Sequence, residues 1–335
     1  MSGRLFLDPW PGEHDGAWGA DPADETAAVT DLAAELPEQE WRELRSRAGA
    51  APEWPELFFV DGSRRMEQRL LLEDDGGIRA HGGLGTTAVG AVSVRPGERA
   101  RFTEYVRIGR WLFTGAGQLH GPLEFSAGDG YLGALRFEHQ PVAESDRDSI
   151  LQALQNRMRL EEEHITAALV AAQPAGLVIC DGPLPQFVGA EQVVGYVKTT
   201  SAERLGPEQL ALVARLTAGG RTPVYLVGEG HRRHYEWVVR LADRAAWHHS
   251  MAGCVRLQVR AAAGAAELPE FVRRVADWSC AALPGFATHS IQDRRSPQQL
   301  VPVMALEREL KRRMGDPALL ARRIVREYFA RQHPG

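Results

Sequence analysis

The chain has 335 residues, of which 44% are hydrophobic and 25% charged, and its net charge is -5. That composition suits a globular chain of one elaborated domain or two and excludes a protein that binds nucleic acid through a basic surface overall. No apolar run approaches the about eighteen residues that cross a bilayer, and the N-terminus lacks a basic region followed by an apolar core. Three widely spaced cysteines, Cys180, Cys254 and Cys280, form no CxxC motif and point to a reducing compartment. A soluble, unexported, cytoplasmic protein with no membrane partner is expected.

Residues 1–50 are rich in Pro, Gly and acids, then read as helical around 25–35 and 37–47, an appended arm suited to docking. From 51 onward the chain reads as the main domain. Phe58-Phe59-Val60-Asp61-Gly62-Ser63 is an apolar run closed by Asp-Gly, a buried strand that delivers a carboxylate to the rim of a sheet. Residues 64–72 then return as a second strand and 86–94 form a third. The Gly-rich stretch 81–87 lacks the Lys-Ser/Thr of a phosphate loop and reads as a hairpin connection. Residues 95–145 read as a β-rich insertion with strands near 105–113 and 131–137. Over 149–172 the apolar residues Ile150, Leu151, Leu154, Met158, Ile165 and Leu169 recur at helical spacing, after Ser145 and Asp146 and before Pro174.

Leu177-Val178-Ile179-Cys180-Asp181-Gly182-Pro183 repeats the first pattern. Strands follow at 193–199, 224–227, 235–241 and 255–259, helices at 207–216 and 268–283, and two C-terminal helices at 300–314 and 317–331 within the block 297–335. Strands alternating with helices predict an α/β class with a mixed sheet flanked by helices.

The helical stripe has a gap after Met158, where Glu161 and Glu162 fall. Glu161 follows Leu154 and Met158 at helical spacing and Glu162 precedes Ile165 and Leu169 at the same spacing, so both are candidates, while Glu163 faces outward. If the two Asp-bearing strands are parallel neighbours with this helix crossing them, Asp61, Asp181 and one glutamate converge at one edge. Such carboxylates hold two divalent cations about 4 Å apart for in-line attack on a phosphodiester. Oxygen ligands without nearby Cys or His favour Mg²⁺ or Mn²⁺ over Zn²⁺. The plainer alternatives are turn-forming Asp-Gly dipeptides and a solvated acidic helix.

Lys198, beside the second Asp motif, suits contact with a scissile phosphate or neutralisation of charge, the alternative being a snorkelling lysine. Arg64 and Arg65 follow the first motif and suit a phosphate backbone. After Arg308 the chain carries Lys311, Arg312, Arg313, Arg322, Arg323, Arg326 and Arg331, a basic tail that suits local contact with phosphates or a solvated helix face. His231, His234, His248 and His249 lack companion Cys or an HExxH pattern and read as structural. No GxSxG elbow appears, so a covalent serine mechanism has no support.

The order of acids resembles that of the ribonuclease H-like nucleases. Val60-Asp61-Gly62-Ser63, Asp181-Gly182-Pro183-Leu184 and Gly195-Tyr196-Val197-Lys198-Thr199-Thr200 are similar to segments of NurA nucleases, the partners of the HerA translocase. Ser296-Pro297-Gln298-Gln299-Leu300-Val301-Pro302, Leu306-Glu307 and Met314-Gly315-Asp316 resemble the C-terminal block of bacterial members. The resemblance runs from about residue 56 to the end, with least support between about 95 and 145. It implies a ribonuclease H-like fold, 5′ to 3′ exonuclease and single-strand endonuclease action on DNA, and two Mn²⁺ or Mg²⁺ ions. It also implies a homodimer coupled to a hexameric HerA-type ATPase during DNA end resection in recombinational repair. Ribonuclease H-like enzymes complete the site from the C-terminal helix with a polar or acidic residue, Asn or His in archaeal NurA proteins, where this chain offers Gln299 and Glu307. A ribonuclease H-like enzyme acting on RNA or hybrids, and a non-catalytic DNA-binding subunit of a translocase, are the alternatives.

Overall fold

A computed structural model describes residues 27–46, 54–73, 79–125, 133–186, 188–189, 191–198, 204–243, 249–262, 267–289 and 291–332. The strands are β1 (Val29–Asp31), β2 (Leu57–Glu73), β3 (Arg79–Val94), β4 (Arg101–Thr114), β5 (Leu123–Phe125), β6 (Leu135–Pro141), β7 (Leu177–Asp181), β8 (Val193–Val197), β9 (Tyr225–Val227), β10 (His234–Arg240) and β11 (Cys254–Arg260). The helices are α1 (Arg147–Ala172), α2 (Pro207–Arg215), α3 (Glu270–Phe286), α4 (Val301–Met314) and α5 (Pro317–Gln332). Parallel and antiparallel strands with helices packed on them make this an α/β fold, as the alternation predicts. Two compact units divide the chain: residues 1–60, 92–102 and 166–305, and residues 61–91, 103–165 and 306–335.

In the first unit the strands run β1-β9-β10-β11-β8-β7-β2. β2, β7 and β8 are parallel neighbours, whereas β8, β11, β10, β9 and β1 pair antiparallel. β7 and β8 are short apolar runs buried on both faces, the pattern of a covered parallel sheet. One core cluster gathers Phe59, Ile179, Tyr196, Trp237 and Leu257 from the strands with Val272, Val275, Ala276 and Leu283 of α3. Val275 and Ala276 follow Val272 by three and four residues and Leu283 follows Ala276 by seven, so one face of α3 is apolar. Full burial of each large side chain contributes roughly 1.5–3 kcal/mol. Trp237 keeps its indole N–H satisfied by donating to Ser279 Oγ at 3.1 Å.

The arm departs from its expected helices. Within 27–46, β1 pairs with β9, a 3₁₀ turn covers Glu38–Glu40, and Leu44 bridges to Arg221. Long-range partners override local helix propensity here. The Glu35 carboxylate takes both Arg221 nitrogens at 2.6 and 2.8 Å and the Val224 N–H at 2.7 Å, and Trp41 Nε1 donates to Leu32 O at 2.9 Å. Residues 25, 26 and 47 lie outside the described residues.

In the second unit the order is β2-β3-β4-β6-β5. β2 does not end at Asp61 and return: it continues without interruption to Glu73. The Gly-rich stretch 81–87 is likewise the middle of β3 and not a hairpin connection. Its glycines admit helix α1, since a Cβ on Gly85 would lie 2.7 Å from Leu154 Cδ1. On β3, Gly90 meets Leu306 and Leu310 of α4 in the same way. Leu84, Leu112, Phe125, Leu135 and Phe137 cluster with Leu320 and Ile324 of α5. Residues 131 and 132, in the expected strand 131–137, lie outside the described residues. Among the described residues no helix is long and apolar enough to cross a membrane.

Candidate functional site

Strands β2 and β7 pair in parallel as Leu57↔Leu177, Phe58↔Val178, Phe59↔Ile179 and Val60↔Cys180. The next residue on each strand is an aspartate, Asp61 and Asp181. Side chains alternate along a strand, so Asp181 follows Ile179 on the face of the α3 core cluster. Cys180 takes the other face, where its Sγ lies 3.4 Å from Thr166 Oγ1 of α1.

The end of β7 is fixed by the turn that follows it. Gly182 has φ +121°, which a side chain disfavours. Its N–H donates to Tyr196 O at 2.8 Å, and the Leu184 N–H donates to Gln258 Oε1 at 3.2 Å. Lys198 directly follows β8, and its Nζ donates to Asp181 Oδ2 at 2.5 Å, with both side chains largely buried. Gln298 anchors this end: its amide donates to Lys198 O at 2.8 Å and Cys254 O at 3.0 Å, while Tyr196 Oη donates to Gln298 O at 2.6 Å. Burial, with the Asp181 charge adding, pushes the Tyr196 phenol well above its ordinary pKa, so it serves as a neutral donor. Asp293 also lies in the field of Lys198. Burial acts to raise its pKa, but the hydrogen bonds of Arg295 outweigh it and hold the carboxyl below the usual range.

Gln299 is fully buried in the segment before α4; its N–H donates to Arg295 O at 3.0 Å and its carbonyl accepts from Thr288 N at 2.8 Å. The neighbouring Gln298 is the residue that sequence reasoning passed over. The doubled glutamine signals a polar pair, but not which member reaches the Lys198 backbone.

In the second unit, Asp61 Oδ1 accepts from the Gly62 N–H at 2.8 Å. A Cβ on Gly62 would stand 2.6 Å from Glu162 Oε1 and 2.7 Å from Met158 Cγ. Glu162 therefore presses on the backbone beside Asp61. Glu161 turns elsewhere: its buried carboxylate is held by Arg157 at 2.8 Å and Arg107 at 3.0 Å, with His164 Nδ1 at 3.6 Å. The Arg157 guanidinium lies 3.9 Å from the centroid of the Trp111 ring. Glu163 is half-buried. Glu307, on α4, accepts from Lys311 Nζ at 2.6 Å. Arg64 Nε donates to Gln155 Oε1, and Arg65 makes a two-point pair with Glu67.

Glu236 of β10, in the first unit, is fully buried. Its Oε2 accepts from Arg256 at 2.9 Å, Gln258 at 2.9 Å and Arg204 at 3.4 Å, and its Oε1 accepts from Tyr225 Oη at 2.7 Å. Burial works to raise its pKa, but Arg256, His234 and Arg204 reverse that and hold it far below the usual carboxylate range. His234 thereby takes a structural role; His248 lies outside the described residues.

Among the described residues no three His, Cys, Asp or Glu side chains gather as a metal-holding group. The acids stand beside bases: Lys198 on Asp181, arginines on Glu161, Lys311 on Glu307. Asp181 is thus held against a positive charge, and the candidate donors are carboxylate oxygens throughout, a donor set that suits Mg²⁺ or Mn²⁺. No family model matches this chain, and no curated protein matches it.

Proposed function

We propose that the chain is a metal-dependent nuclease that hydrolyses DNA phosphodiesters, with Asp61 and Asp181 as the principal carboxylates. The observation that carries this reading is the parallel register of β2 and β7, which runs to Val60↔Cys180 with an aspartate next on each strand. In the second unit Glu162 lies against the Gly62 backbone next to Asp61, and Glu161 pairs with Arg157 and Arg107; both stay candidates for a further carboxylate. Bound by these groups, divalent cations supply Lewis acidity toward the phosphate and lower the pKa of an attacking water.

The chain's own residues have definable tasks in that reaction. Asp181 orients through the turn that Gly182 and Gln258 fix. Lys198, its carbonyl tied by Gln298, presents an ammonium that suits a non-bridging phosphate oxygen as charge develops. Gln299 and Glu307 are the groups that the C-terminal segments offer, and the Glu307 pair with Lys311 favours a supporting part for that acid. The resemblance to NurA nucleases supports DNA as substrate, 5′ to 3′ polarity, a homodimer, and a HerA-type hexameric ATPase as partner.

A second reading is a DNA-binding subunit without catalysis, favoured by Lys198 and the arginines already neutralising Asp181 and Glu161. Digestion of 5′- and 3′-labelled single-stranded DNA, RNA and hybrid in Mn²⁺ separates the readings. The nuclease reading expects DNA cleavage that is lost in Asp61→Asn; binding without cleavage contradicts it.

A further inference from the structure

We infer that, in the second unit, the sheet face beneath α4 and α5 carries a binding site for a phosphate oxyanion, with Arg110 as its principal cation and Arg65 and Arg323 adding positive charge around it. Arg110 of β4 reaches Met314 O, at the end of α4, only at 3.5 Å, a poor hydrogen bond. Its Nε is buried with no partner. The carboxylate in its field is Glu67, already engaged at both oxygens by Arg65 at 2.9 Å each. Arg323 of α5 adds another guanidinium to that field. Burial, with repulsion from Arg65 and Arg323, pulls Arg110 below the ordinary arginine pKa against the attraction of Glu67.

A second, independent observation comes from β3. Thr86 is fully buried and its hydroxyl has no partner. It alternates on the face of Leu84 and Gly90, which meet α5 and α4 respectively. Buried polar groups are nearly always paired, so an unused hydroxyl and an under-used guanidinium under the same helices are a signature of a missing acceptor. Guanidinium forks and hydroxyls are the donors that oxyanions of phosphate take. The occupant is a backbone phosphate of the nucleic-acid strand, a choice that rests on the nuclease reading: Arg65 follows Asp61 by four residues on β2, roughly 13 Å along the strand.

The test uses the full chain without divalent metal, so that no cleavage intervenes. Titration calorimetry with inorganic phosphate and the salt dependence of single-stranded oligonucleotide binding are compared for wild type, Arg110→Met and, should that variant fail to fold, Arg323→Met. The site predicts phosphate affinity weakened about tenfold or more and a salt slope shallower by about 0.7. Unchanged phosphate affinity in a folded variant overturns the site. Weakened phosphate affinity with an unchanged slope overturns the strand as occupant in favour of free phosphate. Failure of the nuclease reading alone appears differently, as absent Mn²⁺-dependent cleavage with both binding changes intact.

Discussion

Glu236 and Asp181 are acids of the same unit with opposite surroundings. Glu236 is fully buried, with Arg256, Arg204, Tyr225 and Gln258 all donating to its two oxygens. Asp181 ends a strand and is held by a single ammonium, that of Lys198, at 2.5 Å. The contrast separates an acid whose two oxygens take four donors from one that the Lys198 ammonium holds at a strand end. Strong perturbation of a carboxyl is therefore no guide to chemistry by itself in this molecule.

Removing the fold-bound acid sharpens the contrast most. Glu236→Ala leaves two arginines buried without their carboxylate, and chemical denaturation should show a loss of about 3–5 kcal/mol. Its pH dependence has a defined sign. The folded pKa is depressed below the ordinary 4.5, so the stabilisation is fully present above pH 4.5 and is lost as the pH falls toward the folded value. Acid titration of Glu236→Gln should accordingly show a flatter loss of stability below pH 4.5 than wild type.

Next in size are the supports of Asp181. Gly182→Ala forces a side chain into the region of φ +121° and should cost about 1–3 kcal/mol in thermal or chemical denaturation. Gln298→Ala withdraws the donor from the Lys198 and Cys254 carbonyls, for a loss of about 1–3 kcal/mol. Asp181→Asn keeps a side-chain acceptor for Lys198 but leaves a largely buried ammonium without its counter-charge, and should cost about 1–3 kcal/mol, short of the Glu236→Ala loss. A loss as large as that of Glu236→Ala would break the comparison, making both acids structural.

The two Asp-Gly strings show what sequence alone reveals. Both read as strand ends, and β7 does end at Asp181, where Gly182 supplies a left-handed φ. At Asp61-Gly62 the same dipeptide sits inside a strand that continues to Glu73, and the glycine serves close approach of Met158 and Glu162. Identical letters serve two physical needs, and a helix about a hundred residues further along the chain decides which. The parallel neighbouring of the two strands stood in the sequence only as a condition, which the register from Leu57↔Leu177 to Val60↔Cys180 meets. Which of Glu161 and Glu162 lies against Gly62 was not legible from spacing, and Arg107, which pairs with Glu161, lies far from both along the chain. The arm was misread as helix because the pairings of β1 with β9 and of Glu35 with Arg221 leave no periodic trace in residues 27–46.

Mn²⁺ titration of the full chain, followed by the loss of the free-ion electron paramagnetic resonance signal, addresses the two strand-borne aspartates most directly. Wild type should take up Mn²⁺, and Asp61→Asn and Asp181→Asn should each weaken uptake about 100-fold or more, since even outer-shell partners of a metal site cost 10–100-fold. Equal uptake by wild type and both variants, with all three folded, would contradict the account.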